Sequence, residues 1–222
     1  MFWNKKPAVE TCAHALYEAL AKGLTQNGRI RVEDLITAAA AIVGEASVSA
    51  AGDFNARNHE FTPGQRVFSD KANVLISGDT DLDGAPADSI VGILKNKLTK
   101  CGFQKADFPV LKDIFAYFAA NIGKKEDWGK VPLSVPKNNQ PFIMPLRVAY
   151  ETRPIVDKIF APLGDNHRQK LHAATLALAE VLCKTRDVLD RRIAITLAFE
   201  TVNGMAKTAP MTDAGMAKLK AG

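Results

Sequence analysis

Asp79, Asp81 and Asp83, followed by Gly84, set three carboxylates at alternate positions ahead of a turn-forming residue. The pattern matches the first half of a calcium loop, in which hard oxygen ligands occupy positions one, three and five and a glycine at six lets the chain turn. The second half departs from it. Position twelve, where a bidentate glutamate completes the shell, is Ile90, and Asp88 at position ten suits a helix cap better than a ligand. The preceding segment is short and ends in Gly78, so no long helix enters the loop. Calcium at residues 79–84 is therefore an expectation resting on half a motif, and no other cofactor is expected.

A second chemistry is written in the cations. Lys124, Lys125, Lys130 and Lys137 surround Trp128 in a proline-rich stretch. Ammonium groups that contact phosphate, beside an indole that can stack on a base, are the elements of a nucleic-acid or other anionic-ligand site. Lys207, Lys218 and Lys220 add unpaired positive charge near the carboxy terminus. Lys184, Arg186, Arg191 and Arg192 read differently: Glu180, Asp187 and Asp190 stand four residues from three of them, which predicts a self-paired, solvated helix face. The chain carries a formal charge of +5, and the surplus is uneven, with 11 Lys+Arg against 12 Asp+Glu up to residue 100 and 18 against 12 beyond it.

The remaining reactive residues make weaker sets. His14, His59, His167 and His172 lack ligand spacing; the last two are five apart, roughly 140° around a helix. Cys12, Cys101 and Cys183 are odd in number, have no Cys-x-x-Cys spacing and fall in or beside apolar helix faces, so they read as buried free thiols. Glu33 and Asp34 read as first-turn partners of a helix dipole rather than an acid/base couple. No serine-nucleophile elbow, P-loop or dinucleotide fingerprint is present. An enzyme would need the fold to unite residues distant in sequence, such as His59, Glu45 and Asp53.

The elements that position these residues are helical. Residues 166–203 contain no glycine or proline, and Leu171, Leu178, Leu182, Leu189, Ile193 and Leu197 recur at helical spacing. At that length the stretch is either one long helix suited to a dimer seam or a pair split near residues 185–187, with Thr185 or Asp187 as cap. The same periodicity predicts helices over 9–24, 32–51 with Gly52 as its end, 70–77 capped by Ser69, and a segment starting at Ala87 or Asp88 and closing at Cys101. A further helix follows Asp107, and Pro154 should restart or kink the one over 146–160. Residues 123–145 form a long loop rich in proline, the strongest linker or binding-loop candidate. The tail beyond Gly204 is small, polar and expected to fray at its end.

These readings give an all-α fold of about seven or eight helices in one domain, 1–222, with at most a minor β element near 66–77 or 142–144. A subdivision into 1–122 and 146–205, joined by 123–145, is the alternative organisation. At 222 residues, 47% hydrophobic and 24% charged, the composition is that of a globular chain rather than a disordered one. Its most apolar window, residues 35–43, is short of the ~20 residues a bilayer requires, and no secretory leader is evident. The expected protein is non-enzymatic, cytoplasmic and without membrane association, acting through a protein partner or by self-association, with a homodimer as one form of that. The alternatives are a nucleic-acid or anionic-ligand binder using the basic loop 124–137, and an enzyme of unrecognised class.

Overall fold

Val32–Ala51 forms α2, and its run of Ala38, Ala39, Ala40 and Ala41 is buried on every side. A helix that is apolar all round belongs in the centre of a fold. Methyl-sized side chains let other helices come close: α7 (His167–Thr185) and α8 (Arg191–Met205) both pack chiefly on α2. The tightest approach is at Gly44, where a Cβ would stand 2.5 Å from Met205 Cβ and 2.8 Å from the Val202 carbonyl oxygen. Around this centre lie α1 (Ala8–Leu24), α3 (Asp70–Ser77), α4 (Ile90–Lys100), α5 (Leu111–Asn121) and α6 (Pro145–Phe160). The computed structural model describes residues 8–53, 61–123, 129–213 and 216–217. Among the described residues there are eight α-helices and no strand, so the all-α expectation holds.

By length and composition α2 could also cross a bilayer, which the shorter window 35–43 did not suggest; 67% of its most apolar stretch is buried inside this fold. The β element expected near 66–77 reduces to one isolated bridge, Arg66 to Thr208, and residues 142–144 form none. The ambiguous run at residues 74–76 is helical because Ser69 Oγ accepts from the Ala72 amide and Gly78 ends the helix.

Several boundaries are set by residues other than those expected. Ser89, not Ala87 or Asp88, caps α4 by accepting from the Gly92 amide at 3.0 Å. Asp107 caps a preceding 3-10 turn through the Gln104 amide, and α5 starts four residues later. Helix α6 continues through Pro154, which lies on its exposed side. Residues 166–203 do split, but Asp190 supplies the cap of α8, accepting from the Ile193 amide at 3.0 Å. Thr185 instead donates back to the Val181 carbonyl.

The tail stays packed past Gly204 as far as residue 213, and residues 218–222, where fraying is expected, lie outside the described residues. Ala206, Thr208, Ala209 and Met211 are buried, and backbone bonds join Val67 to Lys207 and Ala209 to Gln65. Arg153 fixes the next stretch. Its guanidinium pairs with Glu45 at 3.0 Å and donates to the Met211 carbonyl at 2.9 Å, while the Tyr150 hydroxyl donates to Asp213 at 2.7 Å. Small residues at 206 and 209 let the backbone sink against the core, which polarity alone does not reveal.

The cysteine expectation is corrected as well. Cys101 and Cys183 form a disulfide between the end of α4 and α7, leaving only Cys12 free and buried. A spacing of 82 residues carries no local signature of pairing. The cations near it are engaged with that same corner: Arg186, Arg191 and Arg192 donate to the carbonyls of Cys101, Gly102 and Ala106. Asp187 pairs with Arg191 as its spacing predicts and also with its neighbour Arg186, whose expected partner Asp190 caps α8 instead, whereas Glu180 pairs with His14 at 2.9 Å. Closing a loop of this length contributes about 2–4 kcal/mol by constraining the unfolded chain. Replacing both Cys101 and Cys183 by serine should lower the unfolding free energy by that amount in a denaturant titration. Thiol counting on the denatured, unreduced protein should find one group per chain and three after reduction; three before reduction contradicts the pairing.

Candidate functional site

A cleft of about 500 Å³ opens between the second half of α5 and the loop that runs from residue 129 to α6. Tyr117, Leu133, Phe142, Ile143 and Met144 give it apolar walls, Asn121 and Gln140 contribute amides, and Lys130 brings the one charged side chain among the described lining residues. Pro132 and Pro141 restrict the backbone here and remove amide donors that a helix or strand would need, and Pro145 opens α6 at a position whose amide has no helical partner. The loop is then tied from several sides. The Tyr117 hydroxyl donates to the Leu133 carbonyl at 3.1 Å, and the Leu146 amide donates to the Gly129 carbonyl at 3.3 Å.

The first turn of α2 holds the far wall. Asp34 accepts from the backbone amides of Phe142 at 2.7 Å and Ile143 at 3.4 Å, and Glu33 accepts from the Asn139 side chain at 3.2 Å. Arg31 donates to the Asn138 carbonyl and lays its guanidinium 3.6 Å from the Phe142 ring centre. Glu33 and Asp34 therefore anchor the binding loop in addition to sitting at a helix start. Phe142 remains 85% exposed beneath Arg31, an apolar ring on the rim of the cleft.

Behind residues 130–134 lies a polar seam on the last helix. Glu200, Asn203 and Lys207 recur at three- and four-residue spacing, which aligns them along one face and just past its end. Glu200 is 2% exposed; one carboxylate oxygen accepts from the Ser134 amide at 2.9 Å and the other is buried without a partner. Burial pushes its carboxyl above the usual range, with the Ser134 bonds acting in opposition. Asn203, 1% exposed, accepts from the Lys207 ammonium, and its own Nδ2 is buried unpaired. The Lys207 Nζ stands 5.2 Å from the Phe115 ring centre and 5.3 Å from that of Phe118; burial pushes it down to about 8.

Arg66 joins seam to cleft. It donates to the Lys130 carbonyl at 3.0 Å and to the Thr208 hydroxyl, with its guanidinium 5.5 Å from the Phe118 ring centre. Val131 packs against Gly204 so closely that no Cβ fits there. One face of the 130–134 strip thus lines the cleft and the other covers the seam.

Of the residues expected from spacing alone, Lys130 lines the cleft, Lys137 opens an exposed 3-10 turn nearby, and Lys124, Lys125 and Trp128 lie outside the described residues. Lys207, expected as a free surface cation, is instead partly buried and hydrogen-bonded; Lys218 and Lys220 lie outside the described residues. In the acidic turn, Asp81 accepts from the backbone amides of Asp83 and Gly84, and Asp83 bonds Lys105 at 2.6 Å and Lys95 at 3.1 Å. Those lysines, Lys105 first, hold the Asp83 carboxyl below its ordinary value. Asp79 is exposed, at φ 56°. Among the described residues no three His, Cys, Asp or Glu side chains gather as metal ligands. Glu45 and Asp53 have separate partners, Arg153 for the first and Ser69 with Lys71 for the second, and His59 lies outside the described residues.

The seam was the part that spacing did not flag. A glutamate and an asparagine inside the apolar run of residues 193–206 were the available signal, since polar groups rarely sit on a fully buried helix face without a reason. No protein-family model, curated protein or solved structure matches this chain.

The two displaced ionisations oppose each other in pH. Glu200 holds its proton more tightly when folded, so its stabilising contribution is complete below the unfolded carboxyl range and is lost as pH rises through the folded value. Lys207 is the reverse: the folded state binds the proton less tightly, so stability grows as pH rises from about 8 towards the unfolded lysine value. Replacing Lys207 by methionine should raise stability at pH 7 by roughly 1–3 kcal/mol, after allowance for partial screening, and flatten the rise above pH 8. Glu200→Gln should stabilise the protein above about pH 5 because the amide keeps an acceptor for Ser134 without the buried charge. Denaturation midpoints across pH 4–10 check both; a Lys207→Met protein less stable at pH 7 contradicts the burial argument.

Proposed function

We propose that this is a non-catalytic binding protein whose cleft between α5 and residues 129–145 takes a small organic anion with an apolar body. The observation that carries the reading is a carboxylate-free lining, among the described residues, with one ammonium set in aromatic, aliphatic and proline walls. Its volume falls within the ~300–1,000 Å³ of ordinary small-ligand sites, and more of its exposed lining is polar than apolar, so backbone and amide groups are available to a ligand beside Lys130. Lys130 supplies the charge that selects an anion, while Tyr117, Phe142 and Met144 offer surface to its apolar part. Anchoring of the loop to α2 by Asp34 and Arg31 lowers the ordering cost of binding.

A protein partner is the second reading, and Phe142 favours it, because a large exposed ring on a cleft rim is a common anchor at interfaces. The Cys101–Cys183 disulfide supports an oxidising compartment over the cytoplasmic placement expected from the absence of an evident leader.

Titration with 8-anilinonaphthalene-1-sulfonate, an anion with an apolar body, tests the cleft at neutral pH. One saturable site per chain is expected, displaced competitively by octanoate. Lys130→Gln should weaken it about tenfold, since a hydrogen bond to a charged group contributes ~1.5–3 kcal/mol and the Lys130 backbone carbonyl stays available to Arg66. No saturable binding, or affinity unchanged in Lys130→Gln, removes the anion reading. A chain that binds no dye but dimerises or retains a polypeptide in native mass spectrometry, with loss of that association in Phe142→Ser, favours the partner reading instead.

A further inference from the structure

The strip from Lys130 to Ser134 forms neither turn nor helix, and its backbone bonds alternate in direction. The Lys130 carbonyl accepts from Arg66 and the Ser134 amide donates to Glu200, both on the seam side, whereas the Leu133 carbonyl accepts from Tyr117 on the cleft side. That is the habit of extended chain, where the N–H and C=O of one residue share a side and its neighbours use the other. Val131 therefore turns both of its backbone groups to the Tyr117 side, together with the Leu133 N–H. Among the described residues none of these three groups has a hydrogen-bond partner. Pro132, which has no N–H, stands where a donor would have pointed away from the cleft, so its presence leaves the cleft edge intact. That edge is a short unpaired strand beside the Lys130 ammonium, with no carboxylate among the described lining residues.

We infer that the cleft takes the free carboxy-terminal end of an extended peptide, paired antiparallel to residues 131–133. The inference rests on the anion reading of the same cleft and names the anion. In an antiparallel pair, two facing residues exchange both N–H···O bonds, and the pattern repeats two residues on. The last residue of the peptide lies opposite Val131: its N–H donates to the Val131 carbonyl, and its carboxylate accepts from the Val131 N–H with Lys130 alongside. The third residue from the end lies opposite Leu133 and accepts from the Leu133 N–H through its carbonyl. Its own N–H is left over, because the Tyr117 hydroxyl already holds the Leu133 carbonyl. A peptide running the other way would carry its carboxylate towards Ser134, away from Lys130. Residues 131–133 span roughly 7 Å at ~3.3 Å per residue, so the match is to the end of a peptide rather than to a long strand. Main-chain bonds supply affinity in strand addition of this kind, and the apolar surfaces of Tyr117, Phe142 and Met144 act on the side chains.

The test is calorimetric titration of the native, oxidised chain at neutral pH with acetyl-Ala-Leu-Leu as the free acid, with its carboxamide, and with octanoate. The free acid is expected to bind one site per chain about tenfold more tightly than either of the others, since only it offers both the charge and the main-chain groups. An ester in place of the last amide removes the donor to Val131 and should weaken binding about fivefold, whereas an ester in place of the acetyl–Ala amide should change it less than twofold. Lys130→Gln should bring the free acid close to the carboxamide. Free acid no tighter than carboxamide or octanoate, with octanoate still bound, overturns the peptide inference and leaves the anion reading standing; no binding by peptide, octanoate or dye removes both. Equal effects of the two esters overturn the pairing with residues 131–133. These comparisons vary the ligand on the native chain, so they decide the inference even where the Lys130→Gln protein fails to fold.

Discussion

The approach of α2 to α8 at Gly44 is the contact on which the other placements rest. With the Val202 carbonyl and Met205 Cβ at the distance where another residue would carry its own Cβ, the two backbones nearly touch. Ala38 to Ala41 extend the same small-residue surface toward the amino end of α2, and α7 uses it from another side. Dispersion falls steeply with separation, so a centre built of methyl groups coheres only where helices come this near. An added methyl at position 44 would therefore force α2 away from α8, the helix that carries the seam.

Because α2 is central, both of its ends are available to organise peripheral chain. Its first turn presents Arg31, Glu33 and Asp34 to residues 138–143, and its third quarter presents Glu45 to Arg153, which reaches the tail at Met211. A single rigid helix thereby sets the far wall of the cleft and the path of the carboxy-terminal segment. The near floor comes from α8 through Ser134 and Val131. Cleft and seam share a strip of backbone, and Arg66 bonds both the Lys130 carbonyl at one end of it and Thr208 in the segment that follows α8. Whatever shifts that strip changes the cover of Glu200 and the lining of the cleft together.

Periodicity made the helices legible because every one of them buries an apolar stripe, and Ser69, Gly52 and Gly78 mark their ends by local rules that act within four residues. The features that escaped are those whose cause lies far along the chain. Cys101 finds Cys183 only once α4 and α7 are side by side, and the tail is buried only because residues 65–67 offer it backbone partners. Lys207 carried the charge of a surface residue in the sequence; its rings, Phe115 and Phe118, arrive from another helix. The loop could be marked as a binding candidate from proline and lysine content, whereas its pocket depended on the anchors from α2. Asp190 was within reach of sequence reasoning, since it stands three residues before Ile193 as a cap should, but Thr185 and Asp187 offered the same side-chain chemistry nearby.

The seam is the place where local preference and global packing disagree. Position 200 lies on a helix whose Leu197, Phe199 and Val202 are all buried, and a leucine or methionine there would avoid both desolvation and an unpartnered oxygen. The same holds for Asn203 with its unpaired Nδ2 and for an ammonium held against two phenyl rings. Each of these costs stability, and the ion pairs that could relieve them are absent among the described residues although Glu200 and Lys207 share one face. Solvated turns such as residues 79–84 show the opposite habit, with Asp83 matched by two lysines in open water where the match matters least. Glu45 with Arg153 shows that this fold does pair a largely buried charge, so the missing partners at Glu200 and Asn203 are local to the seam, and Glu200 meets the strip that lines the cleft through its bond to Ser134.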